Sequence, residues 1–324
     1  MAARRRPAPA RQPVVLVYHP FEADAYARLI RPPRGRPVDV QVCASEAAAA
    51  PVAVAADVVY AWQFPHALYP RATRLTWLQA MGAGVDWVLG PALPPRVVVT
   101  RVPGVFGPWM SEYVLGWCAW VTQRMETYRT AQRERRWIET ELPGRLRGKA
   151  LALVGVGDVG REIARVARAV GLRVIGVSRS GRRVPGLDRV HRVSALHQVL
   201  ASADFVVLAI PLTAATRGLI DATALAAMRP DAWLINVGRG AVVDDAALVE
   251  ALTARRLGGA VLDVFATEPL PTDHPLWGLD NAVITPHISG PSTPAEIAPV
   301  FNANLARWLA HRPLLHVVDR AHGY

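Results

Sequence analysis

From Lys149 onward, short apolar and often β-branched runs alternate with segments of helical period: "ALALVGVG", "RVIGVS", "DFVVLAIP", "AWLINVG", "GAVLDVF" and "NAVITP". Runs this continuous suit strands covered on both faces, and helices between them suit right-handed parallel crossovers. The pattern predicts a doubly wound parallel sheet of the Rossmann type. In "DVGREIARVARAVG" the positions Val159, Ile163, Val166, Ala167 and Val170 recur at helical spacing, the arginines point elsewhere, and Gly171 ends the helix. Before about residue 105 the alternation is less regular, with strands predicted in "PVVLVY", "VDVQVC", "ADVVYAW" and "LTWLQAMG". This predicts a second, smaller α/β domain.

The Pro/Gly-rich turn in "RVPGVFGPWMSEYVLGWCAW" leads into a long apolar helix, read as the crossing between domains. The last helix, "PAEIAPVFNANLARWLAHR", follows the final strand and is expected to return to the first domain. The expected division is a disordered basic tail over 1–13, a first domain over 14–105 and 295–324, and a second over 106–294. At 324 residues and 52% hydrophobic, the chain is long enough for two cores.

No stretch approaches the run of about 18 apolar residues that a membrane span needs. The basic start leads into only a few apolar residues, a first strand rather than an export signal, so the cytoplasm is the expected compartment. Cys43 and Cys118 lack the paired spacing of a zinc site and read as two buried thiols, and no metal is expected. A net charge of +11 raises the question of nucleic acid, but Lys149 is the only lysine and the arginines are spread along the chain. They lack the aromatic interleaving of a single-strand binder, so no nucleic-acid partner is expected. A positive field still attracts small anions.

"GVGDVG" sets Gly155, Gly157 and Gly160 at G-x-G-x-x-G spacing between a strand and a helix, the context that gives this string meaning. Gly155 permits the tight turn, Gly157 lets backbone approach a pyrophosphate, and Gly160 lets the helix pack close to the strand. The amides of Gly157, Asp158 and Val159 then open the helix as phosphate donors. About 20 residues past the glycines an acid is expected on the adenosine ribose. Ser178 and Arg179 stand there instead, within "SRSGRR". Ser178 cannot repel a 2′-phosphate, and Arg179, backed by Arg182 or Arg183, can bond one. The exchange favours NADP(H) over NAD(H).

In open α/β sheets ligands sit outside the carboxyl ends of the strands. Arg239 follows the strand in "LINVGRGAVVDDAAL", Glu268 the one in "AVLDVFATEPLP" and His287 the one in "AVITPHISG". Each alone has a bland reading, but together, beside a dinucleotide cradle, they point to chemistry.

With "GVGDVG", "NVGRGAVVD", "LDVFATEPLPTDHPLW" and "TPHISG" in that order, the chain resembles the D-2-hydroxyacid dehydrogenases over nearly its whole length. "LQAMGAGVDW" and the ending "VVDRAHGY" look most like the glyoxylate/hydroxypyruvate reductase branch. The resemblance implies a flavodoxin-like substrate domain before the dinucleotide-binding domain, and a homodimer. It implies that Arg239 holds the carboxylate of a 2-oxo acid and polarises its carbonyl, that His287 donates the proton, and that Glu268 orients and charges His287. It also implies that Asp263 binds the nicotinamide carboxamide, that backbone amides from Met81 through Gly82, Ala83 and Gly84 hold the carboxylate, and that Ser180, Pro211, Val237 and Gly290 complete the cofactor set.

Elementary chemistry agrees with these roles. Hydride arriving at C2 leaves an alkoxide, so reduction needs a proton donor charged near neutrality, and a carboxylate partner favours imidazolium. A planar guanidinium suits a carboxylate through two parallel bonds. Trp62, Met81 and Trp137 are candidates to line the substrate pocket, the last from a second subunit. The leading expectation is NADPH-dependent reduction of small 2-oxo acids to D-2-hydroxy acids. The alternatives are formate oxidation, disfavoured because that relative carries an amide where Glu268 stands, and a corepressor-like NAD(P) sensor without turnover.

Overall fold

A computed structural model describes residues 11–323. They form two compact units, one holding the chain up to Pro103 together with Ser292 onward, the other Gly104–Pro291.

In the first unit β1 (Val14–Tyr18), β2 (Asp39–Cys43), β3 (Val58–Ala61), β4 (Trp77–Ala80) and β5 (Val98–Thr100) pair in parallel in the order β2-β1-β3-β4-β5. Helices α1 (Ala23–Ala27) and α2 (Glu46–Ala53) connect the first three strands. Alternation sends Leu16, Val59, Leu78 and Val99 into a core with Ala49 and Ala53 of α2.

Of the tail expected over 1–13, residues 1–10 lie outside the described part. The remainder is tied down, which corrects that expectation. The Pro13 carbonyl accepts from the Asp39 amide at 2.8 Å, and Arg11 pairs with the Asp57 carboxylate, which also accepts from the Val14 amide at 2.8 Å.

In the second unit α3 (Phe106–Thr122) and α4 (Met125–Arg133) precede β6 (Ala150–Val154), α5 (Asp158–Ala169), β7 (Arg173–Ser178) and β8 (Arg189–Arg192). Then come α6 (Leu196–Leu200), β9 (Phe205–Leu208), α7 (Ala222–Ala226), β10 (Trp233–Asn236), α8 (Asp245–Thr253), β11 (Gly259–Leu262) and β12 (Ala282–Ile284). The seven strands run in parallel in the order β12-β11-β10-β9-β6-β7-β8. Read from β8, this is the doubly wound dinucleotide-binding order with one strand added.

Ala152 and Val154 face one core with α6, α7 and α8, while Leu151 and Leu153 face another with α3 and α5. That two-sided burial is why the strands read as unbroken apolar runs. The buried stripe of α5 is Gly160, Ile163, Ala164 and Ala167. Of the expected positions Ile163 and Ala167 are buried, whereas Val170 is 40% exposed, and Gly160 and Ala164 complete the inward face. Gly171 follows with φ +90°, the left-handed geometry that ends a helix.

The chain ends with α9 (Pro294–Leu309) in the first unit. Phe301 stacks on Tyr60 at 4.1 Å and on Trp77 at 5.2 Å, and Asn304 Nδ2 donates to buried Gln79 at 3.2 Å. Thr100 bridges Gln79 and the Trp77 indole with two bonds of 2.7 Å. Among the described residues, no helix is long and apolar enough to cross a membrane.

Phe301 is fully buried between two rings. Phe301→Ala is expected to destabilise the protein by about 3–5 kcal/mol, read as a lower urea midpoint.

Candidate active site

The glycines after β6 divide by what surrounds them. A Cβ on Gly160 would stand 2.1 Å from the Gly155 carbonyl oxygen, so helix and strand meet too closely for any side chain. A Cβ on Gly157 would meet nothing within 4 Å. That open space lies at the N-terminus of α5, whose N-cap Gly157 has no side chain to satisfy the first-turn amides. The combination fits a pyrophosphate. Asp158 belongs to the cradle through its backbone, because its carboxylate accepts from the Gly104 amide.

At the end of β7 the Ser178 hydroxyl accepts from the Gly181 amide at 3.1 Å and closes the turn, while Ser180 accepts from Arg182 N at 3.3 Å. Arg179, Arg182 and Arg183 of this turn are exposed. Pro211 lies exposed beyond β9, Val237 is buried directly after β10, and half-buried Gly290 packs against Met110.

Arg239 follows β10 in extended conformation. Buried Asn236 shapes its approach, accepting from Gly238 N and donating to the Arg239 carbonyl, each at 3.1 Å. Beyond β11 and β12, His287 Nδ1 lies 2.8 Å from Glu268 Oε2, while Glu268 Oε1 accepts from Phe265 N at 2.9 Å. Burial alone would raise the Glu268 pKa. The His287 and Phe265 hydrogen bonds and the charges of His287 and Arg239 outweigh it, so the carboxyl titrates below its ordinary value. An ionised carboxylate only accepts, so Nδ1 donates and Nε2 takes no part in this pair.

His287 has φ +55°, a strained setting for a residue with a side chain. Asp263 holds it there. The Asp263 carbonyl accepts from His287 N at 2.9 Å, and its carboxylate accepts from Ile288 N and Ser289 N at 2.8 Å and from Thr285 Oγ1 at 2.6 Å. Because Thr285 donates to Asp263, the Tyr113 hydroxyl must donate to Thr285, at 2.6 Å. Asp263 is fully buried, and its bonds anchor the His287 loop.

In the other unit Trp62 follows β3 and is half-buried. Met81 is corrected as a pocket residue: its side chain is fully buried and its amide donates to the Ala61 carbonyl at 3.0 Å. The next three amides, of Gly82, Ala83 and Gly84, have no acceptor among the described residues. Trp137, after α4, is 89% exposed with its indole N–H on Glu139.

Residues 116–289 match the family model described as "D-isomer specific 2-hydroxyacid dehydrogenase, NAD binding domain". The chain belongs to the D-isomer specific 2-hydroxyacid dehydrogenase family. A glyoxylate/hydroxypyruvate reductase A of Serratia proteamaculans (strain 568) is 30% identical over 276 residues, which cover 83% of this chain and 88% of that protein. A crystal structure of a D-isomer specific 2-hydroxyacid dehydrogenase family protein from Aeromonas salmonicida subsp. salmonicida A449 superposes with a TM-score of 0.88 and 35% identity, covering 96% of this chain and all of that one. An NADPH-dependent glyoxylate/hydroxypyruvate reductase from Sinorhizobium meliloti, solved with NADP and sulfate, gives a TM-score of 0.86 and 31% identity, covering 97% of this chain and 100% of that one. The protein is thus an NAD(P)-dependent 2-hydroxyacid dehydrogenase of the glyoxylate/hydroxypyruvate reductase-like branch.

For this dehydrogenase, sequence reasoning missed Asn236, Thr285 and Tyr113. Asn236 and Thr285 stand inside the motifs that identified their neighbours, "INVGRG" and "TPHISG", and were legible there. Tyr113 lies in the middle of α3, and no local pattern marks it.

The two glycines separate binding from stability. Gly157→Ala is expected to weaken dinucleotide binding while leaving the melting temperature within a few degrees, because its Cβ enters open space. Gly160→Ala is expected to lower the melting temperature as well, because its Cβ meets backbone. Thermal unfolding without cofactor and a nucleotide titration check both.

Proposed function

We propose that the protein reduces small 2-oxo acids of the glyoxylate and hydroxypyruvate type to D-2-hydroxy acids, with NADPH preferred over NADH. The observation that carries this reading is the 2.8 Å pair of His287 and Glu268, on the loops after β12 and β11, next in the sheet to the strand that leads to Arg239. When bound, the nicotinamide cofactor supplies hydride to C2. His287 Nε2 then gives its proton to the oxygen on C2, and Glu268 stabilises the imidazolium that exists until that transfer. The guanidinium of Arg239 grips the substrate carboxylate and stabilises the developing oxyanion. The amides of Gly82, Ala83 and Gly84, without an acceptor among the described residues, and the half-buried Trp62 are the first unit's own candidates for holding a carboxylate.

The cofactor preference rests on Ser178, which carries no charge to repel a 2′-phosphate, and on the exposed Arg179, Arg182 and Arg183 in the same turn. The NADP in the Sinorhizobium reductase supports it. On this reading the protein is a cytoplasmic homodimer, and exposed Met125, Trp137 and Leu142 are the apolar side chains α4 and its following loop offer a second copy.

Glyoxylate and hydroxypyruvate assayed with NADPH and with NADH test the reading directly. The wild type is expected to show the higher kcat/KM with NADPH. Ser178→Asp with Arg179→Ala is expected to lower kcat/KM for NADPH about tenfold or more, from the loss of a charged hydrogen bond worth about 1.5–3 kcal/mol, and to spare NADH. A wild type that favours NADH would overturn the preference.

Glu268→Gln keeps an acceptor and deletes the charge. In the wild type Glu268 ionises below its ordinary pKa, so it stays charged throughout the neutral range and is protonated only as the pH falls through that lowered value. In the variant the imidazolium has lost its counter-charge, and the alkaline limb of reduction is expected to move to lower pH. The acidic limb of hydroxy-acid oxidation should shift the same way. Superimposable pH profiles, with chemistry rate-limiting, would remove the pair from the mechanism.

A further inference from the structure

Strand β8 ends beside the turn that follows β7. Ser178 and Arg192, the last residues of the two strands, are register partners in the parallel pair, so their side chains lie on one face of the sheet. Gly176 and Val190, the register partners two residues earlier, identify that face, since a Cβ on Gly176 would stand 2.7 Å from Cγ1 of Val156, inside the glycine cradle. Arg192 therefore shares a face with the cradle's own loop.

The turn after β7 closes over the stem of Arg192. Gly181 has φ +64°, and a Cβ there would stand 2.7 Å from Arg192 Cγ and 3.2 Å from its amide nitrogen. Beyond that packed stem the guanidinium has no hydrogen bond or ion pair among the described residues, and the residue is exposed. Arg179, Arg182 and Arg183 lie exposed in the same turn, and Asp188 is the one acid between Ser178 and Ala203. That acid is engaged elsewhere. Its carboxylate pairs with Arg168 and accepts from Val174 N at 2.7 Å, near the opposite end of β7. Ser178 adds a donor: because its Oγ accepts from the Gly181 amide, its own O–H is left without an acceptor among the described residues.

We propose that Arg192 is a further determinant of cofactor choice, reaching from the neighbouring strand to donate to the 2′-phosphate of NADP(H) on the face that Ser178 also presents. The inference rests on the reading of this protein as an NADPH-preferring reductase. A planar fork meets phosphate oxygens through two parallel bonds, and a stem already packed against Gly181 loses less freedom on binding than an arginine exposed along its whole length.

Equilibrium titration with NADPH and with NADH, followed by nucleotide fluorescence, reads this contact without turnover. Arg192→Met keeps a stem against Gly181 and removes the donors. It is expected to raise the Kd for NADPH about tenfold or more, the size of one lost charged hydrogen bond, and to leave that for NADH within about threefold. Arg192→Gln is expected to lose the preference in the same way. Added salt should weaken NADPH more than NADH in the wild type, and that difference should shrink in Arg192→Met, which a purely structural role of the stem would not produce. Damage to the fold weakens both nucleotides together, so the ratio of the two Kd values separates recognition from support. A ratio in both variants within about threefold of the wild type, where the wild type prefers NADPH, overturns the role of Arg192. A wild type that binds NADH as tightly as NADPH overturns the cofactor reading itself.

Discussion

A parallel sheet covered on both faces leaves only the ends of its strands open to a ligand, and both sheets of this protein obey that constraint. In the second unit the carboxyl ends carry the cradle after β6, Ser178 on β7, Arg239 after β10, Glu268 after β11 and His287 after β12. In the first unit His19 follows β1, Trp62 follows β3 and the unpaired amides follow β4. The faces are filled by side chains such as Leu153, Val207 and Ile235, so polar chemistry has no place there.

Two acids five positions apart divide the work around His287. Glu268 is about one-third exposed and meets the imidazole itself, so its charge can stabilise a proton on the ring. Asp263 is fully buried and never meets the ring. Its three donors compensate the burial of a charge and hold the next two amides, which keeps a left-handed histidine in place. Backbone strain of this kind costs on the order of 1–3 kcal/mol and persists only where surrounding bonds fix it. The hydroxyls of Thr285 and Tyr113 extend that anchorage to α3.

The first unit solves a different problem, that of joining the end of the chain to a sheet built from its beginning. Apolar stacking by Phe301 supplies the contact area, and the Trp77–Thr100–Gln79–Asn304 chain supplies direction. A buried polar chain with its partners in place tolerates one register only, because a slip would leave donors unpaired.

Much of this was legible in the chain. Burial on both faces makes a strand such as "ALALV" a continuous apolar run, and the motifs at strand ends name Arg239, Glu268 and His287. Other elements were not legible, for definite reasons. The edge strand β8 reads "RVHR", and its pairing depends on β7 rather than on its own period. The inward stripe of α5 joins Gly160 and Ala164 to the expected Ile163 and Ala167, because helix and strand meet too closely at Gly160 for any side chain, a contact that no helical period records. The sequence by itself determined which elements form and which side chains end them. Only the tertiary structure decided which of those side chains share a partner, because a bond such as Tyr113 to Thr285, spanning 172 positions, depends on a closeness that no local period records.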